Sequence, residues 1–122
     1  MGTALWIAQG VLAVAFLVAG SMKAFKDYAA LNADPHMAFT NDFSKGFIRF
    51  LGWSEMAAAV GLVLPGLTGI APMLTPLAAG GLVVLMIGAV GVHLRRSEPK
   101  LIFVPLSLSA TAVFVVYGHI VL

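Results

Sequence analysis

The sequence predicts an all-α protein, a transmembrane four-helix bundle, and three observations lead to this fold class. Hydrophobic residues make up 61% of the 122 residues and charged residues 10%, whereas soluble domains average about 25% charged residues. The mean hydropathy of +1.02 suits a chain whose solvent is largely lipid. Long apolar runs separated by short polar stretches fill residues 1–122, which we interpret as a single domain.

Each apolar run is long enough to cross a bilayer. We place the spans at about residues 4–24, 46–64, 70–94 and 101–122. A hydrocarbon core about 30 Å thick requires roughly 17–25 residues of helix. The runs lack the period-two alternation of β-strands. We expect Pro65 and Gly66 to stop the second span and Pro76 to bend the third.

The basic residues lie on one side of the predicted membrane. The seven Lys and Arg residues are Lys23, Lys26, Lys45, Arg49, Arg95, Arg96 and Lys100. They surround the first and third loops, so the positive-inside rule places these loops in the cytoplasm and both termini outside. We therefore expect a multi-pass protein of the cell (inner) membrane whose surroundings are the lipid bilayer, with no nucleic-acid partner. No Lys or Arg precedes the first run, which favours a span over a cleaved signal peptide.

Glu55 is the charged residue that the bilayer makes most costly. It lies about 12 Å into the second span at 1.5 Å per residue, and an acidic side chain near a helix centre costs roughly 2.5–3.5 kcal/mol. Two interpretations remain open. Glu55 is either protonated and hydrogen-bonded between helices, or it is a functional acid that handles protons or recognises a ligand.

Two polar residues of the first span are candidate partners of Glu55. Lys23 reaches it if its side chain is drawn inward, although such a lysine usually extends to the headgroups. Gln9 lies about 21 Å from Lys23 along the same helix. We expect Gln9, Lys23 and Glu55 to line one inner cavity at different depths. Trp53 is a further candidate for its wall.

The histidines and Arg49 are weaker candidates for a site. His93 belongs to the inner end of the third span, where Arg49 or His36 could meet it, and His119 to the outer end of the fourth. They are too far apart to ligate one metal ion, so no metal site is expected, and polar anchoring at the membrane surface is the simpler role for both histidines. The chain has no cysteine, which excludes thiolate metal sites and thiol redox chemistry by its own residues.

Small residues occur at helical spacing in several spans, for example at Ala15 and Ala19, at Ala57 and Gly61, and at Gly81 and Gly88. Such spacing permits two helix backbones to approach closely. We expect tight packing at these positions, and a homodimer through one such face is compatible with the pattern.

Two segments resemble the DoxX-like family of small four-helix membrane proteins. The first is the end of the first span, residues 16–23 (FLVAGSMK), and the second is residues 51–62 (LGWSEMAAAVGL). The family typically shows a Gly followed closely by a Lys in the first segment and a Gly, Glu and Gly series in the second. The resemblance covers the whole chain as architecture.

The resemblance implies three kinds of function. Family members include a subunit of a thiosulfate:quinone oxidoreductase and components of membrane redox-stress complexes, and relatives of similar architecture act as assembly helpers for other membrane proteins. We therefore expect an accessory subunit of a membrane redox system with a pocket near Glu55, with quinone as the cofactor that the resemblance suggests. A binding or transport module for a small apolar molecule or lipid, and an assembly or structural partner, are the alternatives. Catalysis by this chain alone is not expected.

Overall fold

The computed structural model describes residues 2–121 as helices and short turns, with no strand in that range. The long helices are α1 (Thr3–Phe25), α3 (Lys45–Thr68), α4 (Leu74–Arg95) and α5 (Phe103–Val121); a short helix, α2 (Tyr28–Ala33), and two 3₁₀ turns, Ala38–Asp42 and Pro99–Ile102, lie between them. Within these residues, four helices are long and apolar enough to cross a membrane. The predicted all-α fold with four spans is confirmed.

The long helices form a ring in which neighbours are antiparallel. Each packs mainly on two others, in the order α1, α3, α4, α5 and back to α1, and the contact between α1 and α3 is the most extensive. This arrangement brings the first and third loops together. We call the end of the bundle that carries the seven Lys and Arg residues the charged end, and the opposite end the uncharged end.

The closest helix contact joins α1 and α3 at two glycines. A Cβ atom placed on Gly52 would lie 2.6 Å from the Gly20 carbonyl oxygen and 2.6 Å from the Ala24 backbone nitrogen. A Cβ atom placed on Gly20 would lie 2.6 Å from the Gly52 carbonyl oxygen. All three distances are shorter than van der Waals contact, so the crossing requires glycine on both helices. Gly81 and Gly88, by contrast, face open space, so the tight packing expected there does not occur within residues 2–121.

The second span continues through Pro65, and the predicted stop at this residue is wrong. Helix α3 extends to Thr68 and is followed by Gly69, whose φ of 71° is left-handed. Pro65 has no N–H to donate to the Gly61 carbonyl oxygen. The Thr75 hydroxyl of α4 donates to that oxygen instead, at 2.9 Å. A neighbouring helix therefore satisfies the carbonyl, as a membrane interior requires.

Helix α4 begins at Leu74, later than the predicted start of the third span. Ala71 has a positive φ of 49° and Pro72 follows it, so a turn occupies the preceding residues. Pro76 consequently lies in the first turn of α4, where a missing N–H breaks no helical hydrogen bond. The bend expected at Pro76 has no cause at this position.

A cap segment, residues 28–43, covers the charged end of the bundle. The Tyr28 hydroxyl lies within hydrogen-bond distance of the Thr40 and Phe43 carbonyl oxygens, and Thr40 is completely buried. At the end of the segment, the Ser44 side chain accepts a hydrogen bond from the Phe47 backbone N–H at 3.2 Å. Ser44 is thus the N-cap of α3, a position that serine commonly occupies.

The Gly20–Gly52 crossing gives a prediction about stability. We expect Gly52→Ala to lower the free energy of unfolding by about 1–3 kcal/mol, because the new methyl group overpacks the backbone contact. Gly81→Ala is the matched control, since a methyl group there meets nothing within 4 Å. Unfolding of detergent-solubilised protein by increasing SDS, followed by circular dichroism, measures both. Equal stability of the two variants would contradict the packing described.

Candidate functional site

A buried ion pair joins α1 to α3. The Lys23 Nζ lies 2.9 Å from Glu55 Oε1 and donates to Glu55 Oε2 at 3.1 Å. The two side chains are 9% and 2% exposed. One ammonium group shared by both oxygens is the geometry of a charge-assisted pair. The charge of Glu55, the most costly in the sequence, is thus paired with that of Lys23.

The direction of side chains on a helix explains why this pair forms. Cα–Cβ bonds tilt toward the helix N-terminus, so Lys23, near the C-terminal end of α1, points back into the bundle. Glu55 lies on the antiparallel α3, where the same tilt directs its carboxylate toward the charged end. Gly20 and Gly52 each stand three residues before the charged residue of their own helix. Their backbone contact brings the two side chains together, and Lys23 is drawn inward.

Arg49 holds the end of α1 beside this pair. Its guanidinium donates to the carbonyl oxygens of Lys23 at 2.6 Å and of Lys26 at 2.7 Å. These carbonyls lie at the C-terminal end of α1, where they have no partner within the helix and where a positive charge is favourable. Arg49 therefore positions the backbone of Lys23.

The charged half of the bundle contains a cavity of about 480 Å³. Lys23 and Glu55 form part of its wall. The remaining lining residues on the long helices and the second 3₁₀ turn are mostly apolar: Ala15, Phe16, Ala19, Phe47, Leu51, Val84, Leu85, Met86, Gly88, Ala89, Val92, His93, Leu101, Val104, Pro105 and Leu108. The volume lies within the roughly 300–1,000 Å³ of typical small-molecule sites, which combine an apolar lining with few polar groups.

The cavity lies between two helix pairs, α1–α3 and α4–α5, which contact each other in the uncharged half of the bundle. At the uncharged half, Leu5 of α1 contacts Gly118 of α5, and the Thr75 hydroxyl of α4 reaches the Gly61 carbonyl of α3. At the charged half the α1–α3 pair stands apart from the α4–α5 pair, and the cavity fills the cleft between them.

The cap segment closes the charged end of the cavity with aromatic and polar side chains. His36, Met37, Phe39 and Phe43 of this segment line it. The Phe39 ring centroid is 5.8 Å from that of His93 and 5.9 Å from Lys23 Nζ, which places a ring face or edge next to both polar groups.

At the charged end, residues of the two charged loops form a polar cluster with His93 of α4, which also lines the cavity. The Nδ1 atom of His93 lies 3.2 Å from Glu98 Oε1. Arg96 donates to Glu98 Oε1 at 3.2 Å and to Asp42 Oδ2 at 2.8 Å. The hydrogen bond to Asp42 raises the pKa of Arg96 above its ordinary value, so the guanidinium stays charged and ties the cap segment to the loop after α4. We expected Arg49 or His36 to lie beside His93, and neither residue provides this contact.

Gln9 lies in the uncharged half, away from the cavity. Its amide Nε2 donates to the Leu62 carbonyl oxygen at 2.6 Å, and its Oε1 lies 2.8 Å from His119 Nε2. Because the amide nitrogen faces a carbonyl, the oxygen faces His119, which therefore donates. The common cavity expected for Gln9, Lys23 and Glu55 contains the latter two. His119 of α5 thus pairs with Gln9 of α1.

Trp53 lies on the outside of the α1–α3 pair. Its side chain is 56% exposed, and its ring meets that of Phe25 edge-to-face with 5.1 Å between centroids. Helical geometry explains this position, because residues two apart on a helix point about 200° away from each other. Glu55 faces inward, so Trp53 faces outward and does not wall the cavity.

Comparison with known proteins identifies the family of the chain. A sequence model of the DoxX-like family matches residues 7–115. The chain belongs to the DoxX-like family. No protein with a curated description and no solved structure matches it. Together with the four apolar helices, this membership makes the DoxX-like chain a multi-pass membrane protein, and the matched range includes both partners of the ion pair.

Several features of the site in this DoxX-like protein have no clear signal in the sequence. The cap segment supplies four lining residues from a loop whose fold depends on bonds between distant residues, such as those of Tyr28. The Gln9–His119 pair has a weak signal, since both lie at a similar depth near the uncharged end. Within residues 2–121, no group of three or more His, Asp or Glu residues could hold a metal ion.

The ion pair gives a prediction about stability. We expect Lys23→Met to lower the free energy of unfolding by about 3–5 kcal/mol, because removing one partner leaves a buried charge unpaired. Adding Glu55→Gln to that variant removes the charge and should restore most of the loss. SDS unfolding followed by circular dichroism measures the single and double variants. A double variant no more stable than Lys23→Met would contradict the coupling.

Proposed function

We propose that this DoxX-like protein binds a small, mainly apolar molecule carrying one polar group, in the cavity beside Lys23 and Glu55. The observation that supports this proposal is the position of the buried ion pair in the wall of an otherwise apolar cavity. An ion pair with only a structural role could be closely packed on every side without losing its function. Here the pair borders open space large enough for a ligand.

The polar groups of the wall suggest how such a molecule would be held. Within the described chain, the Lys23 ammonium group donates to Glu55. An ammonium group has three N–H donors and a carboxylate oxygen accepts more than one hydrogen bond, so both groups keep capacity for a ligand. A ligand oxygen could thus accept from Lys23, while a ligand hydroxyl could donate to Glu55. His93 and His36 lie at the charged side of the same cavity. A carbonyl- or hydroxyl-bearing ring matches this set of donors and acceptors.

The family membership supports an accessory role in a membrane redox system, with a quinone as the bound molecule. A quinone has carbonyl acceptors in its oxidised form and hydroxyl donors in its reduced form, so Lys23 and Glu55 would recognise the two forms by opposite hydrogen bonds. In this role, the DoxX-like protein would hold the quinone for a partner membrane protein, and that partner would carry the redox centre. The chain's own residues would bind and orient the molecule.

We test the proposed binding with native mass spectrometry of detergent-released protein. The wild type is expected to retain a small molecule, and Glu55→Gln is expected to lose it, because the amide weakens the Lys23 pair and accepts fewer bonds. Thr75→Val is the matched control, since it removes a buried hydrogen bond outside the cavity. Identical spectra for wild type and Glu55→Gln, with no bound molecule, would reject the binding function and favour a role in the assembly of another membrane protein.

We also propose that the charged end faces the cytoplasm and both termini lie outside the cell membrane. The distribution of Lys and Arg supports this orientation, because basic residues are retained on the cytoplasmic side.

The absence of cysteine permits a direct test of orientation with single cysteines. Ala33→Cys marks the charged end and Thr68→Cys the uncharged end; both positions are exposed. In intact cells or spheroplasts, a membrane-impermeant maleimide should label Thr68→Cys at once and Ala33→Cys after permeabilisation. The reverse pattern would invert the proposed orientation.

A further inference from the structure

Several residues that line the cavity are also exposed on the outer surface of the bundle. Val84 is 72% exposed and Phe47 is 42% exposed, and both line the cavity. Gly88 lines it as well, and a Cβ atom placed on Gly88 would meet no atom within 4 Å. Residues that border a cavity and the exterior together mark the place where the cavity reaches the surface.

One such place lies between α3 and α4; another is bordered by Val104 of α5, which lines the cavity and is 67% exposed. The flank of α4 that faces α3 is identified by Gly61, because a Cβ atom there would lie 3.2 Å from the Ala78 side chain and 3.8 Å from the Leu74 carbonyl oxygen. Measured from Ala78, whose side chain faces α3, Gly88 lies about 80° and Val84 about 120° around the helix, and both are exposed, so they form the outer edge of this flank. Val84 and Gly88 therefore border the gap on α4, and Phe47 borders it on α3. Both helices that border the gap are long and apolar enough to cross a membrane.

The charged end of the cavity is covered by contrast. Phe39 and Phe43 of the cap segment lie across it, the Tyr28 hydroxyl holds that segment to itself, and the Arg96–Asp42 ion pair at 2.8 Å fastens the segment to the loop after α4. A molecule entering from water at the charged end would have to pass the hydrogen-bonded cap segment. A molecule entering between α3 and α4 would pass Val84 and Gly88, which have open space beside them.

We infer that the ligand is a bilayer-dissolved molecule with a polar head and an apolar chain, and that the chain leaves the cavity between α3 and α4. The inference rests on the proposed function and adds the class of ligand and its route. The head meets Lys23 and Glu55, and the chain crosses the rim at Val84 and Gly88 into the surrounding lipid. A molecule of this shape needs no opening of the cap segment to enter, and its chain need not fit within the cavity volume.

Two glycines of α4 provide a matched test of the route. Gly88→Phe places a ring in the gap, whereas Gly91→Phe places the same ring on an exposed part of α4 outside the cavity lining. A Cβ atom at either position meets no atom within 4 Å, so both variants should fold. The probes are two substituted 1,4-benzoquinones with the same ring, one carrying a decyl chain and the other a methyl group in its place. Native mass spectrometry of protein in lipid nanodiscs measures the bound fraction of each.

The expected result depends on both the chain and the variant. Wild type and Gly91→Phe should bind the decyl quinone more tightly than the methyl quinone, and Gly88→Phe should weaken decyl-quinone binding by about tenfold while changing methyl-quinone binding little. If Gly88→Phe binds the decyl quinone as wild type does, but Glu55→Gln loses it, the route is wrong and the proposed function stands. If the wild type binds neither quinone, the proposed quinone function and the route are both rejected.

Discussion

The structure depends on the contact between Lys23 and Glu55, which neutralises the one acidic side chain placed deep in a span. That contact requires α1 and α3 to be antiparallel and to cross at Gly20 and Gly52. The glycines permit the backbones to touch, and the tilt of side chains toward each helix N-terminus makes the lysine and the glutamate converge. The tight α1–α3 contact follows from this requirement.

A second set of polar contacts holds the opposite half of the bundle together. Gln9 bridges α1 to α3 through the Leu62 carbonyl and to α5 through His119, and Thr75 bridges α4 to α3. Inside a membrane, unsatisfied polar groups cost several kcal/mol each, so each of these groups finds a partner on another helix. The helix pairs α1–α3 and α4–α5 contact each other in this half, and the cavity lies between them in the charged half.

Local sequence patterns predicted some features well and others poorly, for identifiable reasons. The spans and the special status of Glu55 depend on composition and spacing, which are visible along the chain. The prediction that the helix stops at Pro65 was wrong because the Thr75 hydroxyl, which is distant in sequence, donates to the carbonyl oxygen that Pro65 leaves without a partner. Gln9 and His119 stand at opposite ends of the chain, and their pairing follows from the closure of the ring between α1 and α5.

By itself, the sequence determined that the chain forms four helices long and apolar enough to cross a membrane, that its basic residues gather at one end, and that Glu55 needs a partner. These properties follow from transfer free energies and helix length, which act residue by residue. Tertiary structure decided which partner Glu55 has, that Gln9 pairs with His119 away from the cavity, that Trp53 faces outward, and that the cap segment closes one end of the cavity. These properties depend on which helix faces which, a relation set by packing between residues far apart in the chain.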